Sequence, residues 1–482
     1  MSRRHPTRPS IGPVIALVIL ALIPAALFAY GWRWADARVP KPVDEPAVVD
    51  TTSPPPPLAT PILSIRRAPQ ALSTVKSEEG LVAALNDVAA NNVDAQSCLV
   101  VTLDGRTIFD HGGDTPVTPA SNEKLLTAAV ALKALGPDYT YTTALKGNVA
   151  DGVVNGDLYF VGGGDPLLST NDYVISNLEY PPFNVTPLET LADNLVGAGV
   201  TRVTGKIIGD ESRYDAERYV PTWASDIKDQ EAGPLSALMV NDSTRQIGTV
   251  RRWTDNQGGP AAGAAKVLTA LLQARGVAVS GGSGAGAAPP DAPVIATVQS
   301  QPLSAIVQEM LTTSDDNTAE MLLKEVGLAV GGAGTTEVGA QAAATTLQGM
   351  GIDIGKLNIV DGSGLDSSNI VRCSILLQVL AMQPLDGPMA TGLPIAGQSG
   401  TLTNEFVGTP LAGQLHAKTG TLSNVKSLTG YLPTAAGTIE VSMILNAQNI
   451  GNDGNYEPAW NALGAALATY PSGPPVEQLQ PR

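Results

Sequence analysis

The hydrophobic and polar positions divide the chain into an apolar N-terminal segment, a proline-rich segment and a long part where helix and strand patterns alternate. Residues 11–30 carry no charged side chain and match the roughly 20 residues that a helix needs to cross a bilayer. Three arginines precede them, which predicts a cytoplasmic tail over 1–10 and a membrane-spanning helix over 11–32. The alternative is a signal peptide cleaved at residues 35–37. Both interpretations place the rest of the chain outside the cytoplasm.

Residues 33–69 are rich in proline, with nine prolines between Pro40 and Pro69. Such a segment favours the extended polyproline II conformation and forms a semi-rigid spacer rather than a domain. We therefore expect a linker over 33–69 that holds the globular part of the chain away from the membrane.

The rest of the chain mixes helix and strand patterns. Apolar residues three and four positions apart predict helices, and short apolar runs bounded by glycine predict strands. The predicted helices cover 79–93, a segment that begins at Thr118-Pro119, 304–326 and 340–347. The predicted strands are a hairpin over 95–109, short runs between 140 and 298, and three consecutive strands at 414–421, 427–432 and 438–445. Because short turns join antiparallel strands, the last three predict an antiparallel sheet.

The composition of the 482-residue chain excludes several classes of protein. A net charge of −16 leaves no basic surface of the kind that nucleic-acid binding requires. Three histidines and two cysteines are too few for a typical zinc site or an iron–sulfur cluster, and no motif predicts a cofactor. The cysteines, Cys98 and Cys373, either form a disulfide in an oxidising compartment or remain two buried thiols.

A serine hydrolase without a suitable histidine can use lysine as its base, and the motif Ser-x-x-Lys places both side chains on one face of a helix. The motif occurs four times, and Ser121/Lys124 is the pair that opens an apolar-faced helix. The helix N-terminus would stabilise a developing alkoxide on Ser121. The other pairs are Ser73/Lys76, Ser225/Lys228 and Ser423/Lys426. A further serine segment at 361–364 lacks the Gly-x-Ser-x-Gly pattern of a nucleophile and predicts a Gly-Ser turn.

Two further motifs could complete a serine site. Lys-Thr-Gly-Thr at 418–421 lies on a predicted strand, and the edge of a sheet can bind an extended peptide. Its lysine and threonine side chains could bind a carboxylate, while its glycine permits close approach of a backbone. Ser-Asp-Asp-Asn at 314–317 follows an apolar helix and, taken alone, predicts an ordinary polar turn.

In this order the three motifs resemble those of the D-alanyl-D-alanine carboxypeptidase/endopeptidase family, the class C low-molecular-mass penicillin-binding proteins. The resemblance runs from about Ser64 to Tyr470 and includes the segments 119–125, 162–166 and 360–365. It implies an α+β fold, the serine β-lactamase/DD-peptidase fold, in which helices flank an antiparallel sheet. The long gap between the first two motifs matches the large, mostly β insertion that this family carries there.

The resemblance also implies a domain organisation and an activity. Residues 70–140 and 300–470 would form the peptidase domain, 141–299 the inserted part and 471–482 a C-terminal tail. The implied substrates are peptidoglycan stem peptides, cleaved between two D-alanines or at a cross-link, with β-lactams as covalent inhibitors. No cofactor is implied, the membrane would be contacted through the N-terminal helix alone, and the oligomeric state stays open.

Roles for single residues follow from the same resemblance. Ser121 would attack the scissile carbonyl, Lys124 would take its proton and Ser314 would pass a proton to the leaving amine. Lys418 would hold the terminal carboxylate, and the backbone N–H groups of Ser121 and Thr421 would form the oxyanion hole. The implied substrate-binding residues are Asp316, Asn317, Thr419, Gly420 and Thr421.

One position departs from the family pattern Ser-x-Asn. Asp316 takes the asparagine place, and Asn317 would reach the site only if the loop shifted by one residue. An asparagine amide can donate to a substrate carbonyl, whereas an ionised aspartate cannot. This departure motivates one alternative, a wall-binding or scaffold protein with an impaired site. A β-lactamase is the second alternative, although no Glu-x-x-x-Asn segment lies where class A β-lactamases carry their deacylating base.

Overall fold

The computed structural model describes residues 27, 30–34, 68–174, 179–249 and 251–473. The chain divides into two units, residues 1–64 and residues 65–482. Within the described residues, no helix is both long enough and apolar enough to cross a membrane. Most of the predicted membrane segment at 11–32 and of the linker at 33–69 lies outside the described residues, as does most of the tail at 471–482.

Helices and strands alternate along the second unit. In chain order the helices are α1 (Ala68–Asn92), α2 (Glu123–Leu135), α3 (Asn171–Val174), α4 (Leu188–Gly197), α5 (Gly259–Ala274), α6 (Leu303–Thr313), α7 (Asp316–Val326), α8 (Thr336–Gly349), α9 (Cys373–Ala381), α10 (Pro388–Gly392) and α11 (Glu457–Leu467). The strands are β1 (Cys98–Leu103), β2 (Arg106–His111), β3 (Thr142–Lys146), β4 (Val149–Ala150), β5 (Val153–Val154), β6 (Leu158–Val161), β7 (Leu168–Ser169), β8 (Thr186–Pro187), β9 (Arg202–Val203), β10 (Ile207–Asp210), β11 (Ala278–Val279), β12 (Ser283–Ala285), β13 (Val294–Gln299), β14 (His416–Leu422), β15 (Val425–Thr434) and β16 (Gly437–Asn446).

An antiparallel sheet of five strands, in the order β14-β15-β16-β1-β2, is built from segments on either side of residues 141–299. Its C-terminal strands are the three that the sequence predicts. Both faces of the sheet are covered, because Leu99 and Val101 of β1 join the core under α1 and α11, whereas Cys98 and Val100 join the core around α2, α6 and α9. Every residue of β1 is buried, because both faces of the sheet are covered. This burial explains why apolar and polar residues do not alternate along β1. Strand β14, which carries the Lys-Thr-Gly motif, lies at the edge.

The segment between the first two motifs forms three further sheets, in the orders β12-β10-β6-β3-β13, β11-β9-β5-β4 and β7-β8. The sequence predicts a mostly β insertion, and the structure adds two helices of ten or more residues, α4 and α5. Helix α5 begins with Gly259 and Pro260, two residue types that are common in loops. Proline is nevertheless well suited to the first turn of a helix. The small residues of α5 allow it to pack closely against β10. The packing is so close that a Cβ at Gly209 of β10 would overlap the Ala261 carbonyl of α5.

Polar side chains connect residues 213–242 to α7 and to Asp361. Arg213 pairs with the buried Glu325 of α7 at 2.5 Å, and Tyr214 donates to the same carboxylate at 2.6 Å. The indole N–H of Trp223 donates to Asp361 at 2.8 Å. Because buried charged groups are costly unless paired, these contacts fix the segment in one position beside α7.

Cys98 and Cys373 form a disulfide that joins β1 to the first residue of α9. Of the two possibilities that the sequence leaves open, the structure therefore shows the disulfide. The bond closes a loop that contains all of residues 141–299, since the two cysteines are 275 positions apart in the sequence.

Candidate active site

Ser121 lies in a short 3-10 turn, Ala120–Asn122, that leads directly into α2. The turn is fixed to the sheet, because Ser427 of β15 donates to the Pro119 carbonyl at 2.7 Å. Ala120 has a positive φ of 49°, an unusual conformation for alanine. A Cβ at Gly364 would overlap the Ala120 carbonyl, so this position requires glycine. The turn that carries the serine predicted from Ser-x-x-Lys thus contacts two separate segments, β15 and the loop at Gly364.

Lys124, one turn further along, is completely buried. Its Nζ lies 2.9 Å from Ser121 Oγ, 2.6 Å from Asp316 Oδ1 and 2.9 Å from the Ser363 carbonyl oxygen. The ammonium has three N–H donors, so these three acceptors satisfy all of them. The arrangement directs the lysine nitrogen at the serine oxygen from which it would take a proton.

The loop at 361–366 supplies one of these acceptors. Asp361 is buried and accepts from the backbone N–H groups of Gly364 and Asp366, which closes the turn. Glu320 of α7 accepts from the backbone N–H of Ser363 at 2.8 Å, and burial beside Asp361 raises the pKa of Glu320 to about 8. The segment is therefore the Gly-Ser turn that the sequence predicts, and its function here is to present a carbonyl to Lys124.

Ser314 and Lys418 meet on the other side of the nucleophile. Lys418 Nζ donates to Ser314 Oγ at 2.8 Å and to the Thr419 carbonyl at 2.8 Å. Lys418 is completely buried, and this burial together with the Lys124 charge holds its pKa well below the usual value. The resemblance implies that Lys418 binds the substrate carboxylate, but in this structure its ammonium is directed at Ser314.

Asp316 and Asn317 point in different directions. Asp315 accepts from the Thr318 backbone N–H as the N-cap of α7, which makes Asp316 the first helical residue and brings it to Lys124. Successive helical residues project about 100° apart. Asn317 therefore faces the insertion, where it accepts from the Gly233 N–H at 2.8 Å and donates to Asp242 at 3.2 Å. The structure places Asp316 in the site and Asn317 outside it.

Strand β14 packs directly against the nucleophile turn. A Cβ at Gly420 would overlap Ser427 Oγ and lie 2.9 Å from the backbone nitrogen of Ser121, so this glycine permits the contact. Thr419 donates to Thr401 at 2.6 Å and is thereby oriented. The edge strand and the serine turn together form one wall of a cleft.

The cleft has a volume of about 670 Å³ and contains Ser121, Ser314, Asp316, Thr419, Gly420 and Thr421 in its lining. Four more acidic side chains line it, namely Glu179, Asp226, Glu231 and Glu405. No spacing in the sequence relates these residues to the three motifs, so sequence reasoning missed them. Lys426 also lines the cleft, although it belongs to a Ser-x-x-Lys pair that the sequence analysis set aside.

The hydroxyl of Ser121 is hydrogen-bonded to the buried Lys124, and a second Ser–Lys pair and the edge of a sheet lie beside it. This arrangement defines a serine acyl-transfer site with a lysine base. Residues 81–259 and 250–462 match the D-Ala-D-Ala carboxypeptidase 3 (S13) family, and the chain belongs to this family of serine-type hydrolases.

Two relatives match over most of the chain. It is 30% identical to the carboxypeptidase DacB of Mycolicibacterium smegmatis, covering 98% of each chain, and 30% identical to the D-alanyl-D-alanine carboxypeptidase of Actinomadura sp., covering 81% of this chain and 83% of that protein. Penicillin-binding protein 4 of Haemophilus influenzae shares the fold, with a TM-score of 0.66 at 20% identity over 80% of this chain and 98% of that chain. A crystal structure of the Haemophilus protein in complex with a β-lactam has a TM-score of 0.59.

Proposed function

We propose that the protein hydrolyses the D-Ala-D-Ala bond of peptidoglycan stem peptides through an acyl-Ser121 intermediate. The observation that carries this proposal is the 2.9 Å contact between Lys124 Nζ and Ser121 Oγ, in the cleft that also contains Ser314 and β14. β-Lactams acylate the same serine, in keeping with the β-lactam complex of the Haemophilus relative.

Acylation begins when Lys124, as a neutral amine, takes the proton of Ser121 and the serine oxygen attacks the scissile carbonyl. Asp316 lies 2.6 Å from the same amine and forms an ion pair with it. At this position an ionised aspartate cannot donate to a substrate carbonyl, as the asparagine of the family pattern would.

The developing oxyanion is bound by the backbone N–H groups of Ser121 and Thr421. Support for this role comes from the close packing of Gly420 against the Ser121 nitrogen, which brings the next residue of β14 to the nucleophile. Ser314, held at 2.8 Å from Lys418, then relays the proton that Lys124 took from Ser121 to the nitrogen of the departing D-alanine, which leaves Lys124 neutral again and Ser314 with its hydroxyl proton. Water releases the acyl group from Ser121.

The same reaction would also cleave D-alanyl–diaminopimelyl cross-links, because a D-alanyl residue is the acyl group in both substrates. Asp226, Glu231 and Glu405 create a negative potential in the cleft. The pKa of Glu231 is raised by burial and by the nearby Asp316, which indicates how closely these carboxylates are grouped. This potential favours a stem peptide whose diaminopimelyl residue, on the acyl side of the scissile bond, carries a free amino group.

The substrate places the enzyme outside the cytoplasm. Residues 11–32 would anchor it in the membrane or direct its export, and the linker at 33–69 would let the peptidase part reach the cell wall. Attachment is tested by membrane fractionation of cells that express the full chain. A protein found wholly in the culture medium supports cleavage of the N-terminal segment.

The peptidase activity is tested by incubating the protein with a stem pentapeptide and with a cross-linked dimer, followed by chromatography of the products. We expect release of D-alanine from the first and two separated peptides from the second, and neither reaction with Ser121→Ala. The impaired-scaffold alternative, motivated by Asp316, predicts a folded protein that releases nothing from either substrate.

A further inference from the structure

Lys426 lies next to the catalytic strand but belongs to none of its motifs. It stands on β15 directly opposite Thr421 of β14, and its Nζ donates to Thr421 Oγ1 at 3.1 Å. Both residues line the cleft that contains Ser121. The ammonium is therefore at the end of the cleft where the residue after the scissile bond must bind, if Thr421 flanks the oxyanion.

In the residues that the structure describes, the surroundings of Lys426 provide a hydrogen-bond acceptor for only one of the three N–H donors of its ammonium. The side chain is 8% exposed and its Nζ lies 3.7 Å from the ring centre of Tyr456 and 4.8 Å from that of Trp460. Within the described part of the chain, Thr421 is its one hydrogen-bond acceptor and no carboxylate oxygen lies within 4 Å of it. An ammonium has three N–H donors, and a buried charge is stable when an anion pairs with it.

The other two lysines of the site are not available to a substrate anion. Lys124 and Lys418 are completely buried, and their ammonium groups donate to Ser121, Ser314 and nearby acceptors. Neither is part of the cleft lining among the described residues, where Lys426 is the one positively charged side chain. Burial lowers the pKa of Lys426, and Glu405, which also lines the cleft, opposes that lowering.

We propose that Lys426 pairs with the C-terminal carboxylate of the substrate, together with the Thr421 hydroxyl, and so determines the preference for a free C-terminus over a blocked one. The proposal rests on the peptidase function proposed above. The terminal D-alanine carboxylate would take the place of solvent beside Nζ, while Lys418 positions Ser314. Lys426 is then a specificity residue, because it contacts substrate outside the reacting bond.

A purely structural role is the competing explanation, since the ammonium packs against two aromatic rings. Such cation–π contacts stabilise a fold without any ligand. The two explanations differ in one respect. A structural residue affects every substrate equally, whereas a carboxylate partner affects only substrates that carry the carboxylate.

The test compares kcat/KM for a D-Ala-D-Ala peptide and for the same peptide with a C-terminal amide, in the full chain and in Lys426→Met and Lys426→Gln. We expect both variants to lose about 10- to 100-fold on the acid, as for removal of a charge-assisted hydrogen bond, and less than about twofold on the amide. Lys426→Arg should keep most of the preference. The matched control is Lys266→Met, whose lysine lies 5.4 Å from the ring centre of Trp253 on the insertion and should leave both values unchanged.

Equal losses on both peptides, or an unchanged acid preference in Lys426→Gln, would overturn the proposal. Thermal unfolding of each variant shows whether it is folded. If Lys426→Met does not fold, Lys426→Gln still tests the proposal, because glutamine keeps a hydrogen-bond donor to Thr421. A wild-type protein that cleaves neither peptide and is not acylated by penicillin contradicts the peptidase function itself, and this inference fails with it.

Discussion

Lys124 Nζ lies 2.6 Å from Asp316 Oδ1, so the base beside the nucleophile is part of an ion pair. The lysine is completely buried and the aspartate side chain is 14% exposed. The family pattern has a neutral asparagine at this position, and the exchange changes the charge that the base experiences. The consequences of this single contact are open to direct measurement.

Asp316→Asn should increase the rate at which benzylpenicillin acylates the protein at pH 7, by roughly tenfold. An asparagine amide at this position can donate to the carbonyl of the bound β-lactam, whereas an ionised aspartate cannot. The measurement is the second-order acylation rate constant from stopped-flow or quenched samples. Asp215→Asn is the matched control, because Asp215 pairs with Lys324 at 2.5 Å and should leave the rate unchanged. A slower reaction in Asp316→Asn would contradict this account of the pair.

Ser314→Ala should affect peptides more than thioesters. If Ser314 gives a proton to the leaving amine, its loss lowers kcat/KM for a D-Ala-D-Ala peptide by about 10²- to 10⁴-fold. A thiolate leaves without protonation, so a thioester analogue should lose much less. Parallel assays of the two substrates provide the check, and equal losses on both would assign Ser314 a role other than proton transfer.

Protonation of Glu320 should make stability depend on pH. The pKa of Glu320 is about 8 in the folded chain against an ordinary value of 4.5, because burial and Asp361 disfavour its charge. A raised pKa contributes stability that is complete below pH 4.5 and is lost as the pH rises towards 8. The free energy of unfolding in urea should therefore fall between pH 5 and pH 8, and Glu320→Gln should reduce that fall by at least about 1 kcal/mol.

The control for that experiment is Glu337→Gln, since Glu337 is exposed on α8. It should leave the pH dependence of the wild type unchanged. An identical pH dependence in Glu320→Gln and wild type would show that Glu320 is not protonated in the folded chain at neutral pH.

The disulfide should stabilise the peptidase part without taking part in catalysis. The double variant Cys98→Ser/Cys373→Ser should lose about 2 to 5 kcal/mol of unfolding free energy, the usual range for a native disulfide. Neither cysteine is part of the cleft lining, so penicillin acylation at low temperature should be retained. Reducing agent should destabilise the wild type alone, and a reductant effect on the double variant would contradict this assignment.

The sequence could predict the parts of this structure that depend on local pattern. The three C-terminal strands follow from apolar runs separated by short turns, and the order of the motifs indicates the fold. Helix α5 escaped prediction because its first residues, Gly259 and Pro260, resemble a loop until tertiary packing is known. The membrane segment proposed at 11–32 lies mostly outside the described residues and stays a prediction.

The site was less predictable where a shift of one residue along a helix or strand changes which side chain enters it. Whether Asp316 or Asn317 meets Lys124 depends on Asp315 capping α7, which fixes where the helix begins. The position of Lys426 depends on the hairpin between β14 and β15, because pairing with Thr421 turns its side chain into the cleft. Both are tertiary facts that motif spacing does not contain.

The central claim, that Ser121 is the acylated nucleophile, is tested most directly by intact-mass measurement after incubation with benzylpenicillin. We predict that the wild type gains the mass of one penicillin, that peptide mapping places it on Ser121, and that Ser121→Ala gains nothing. The serines of the other three Ser-x-x-Lys pairs should stay unmodified. A folded wild type without an adduct, or an adduct that persists in Ser121→Ala, would contradict the account.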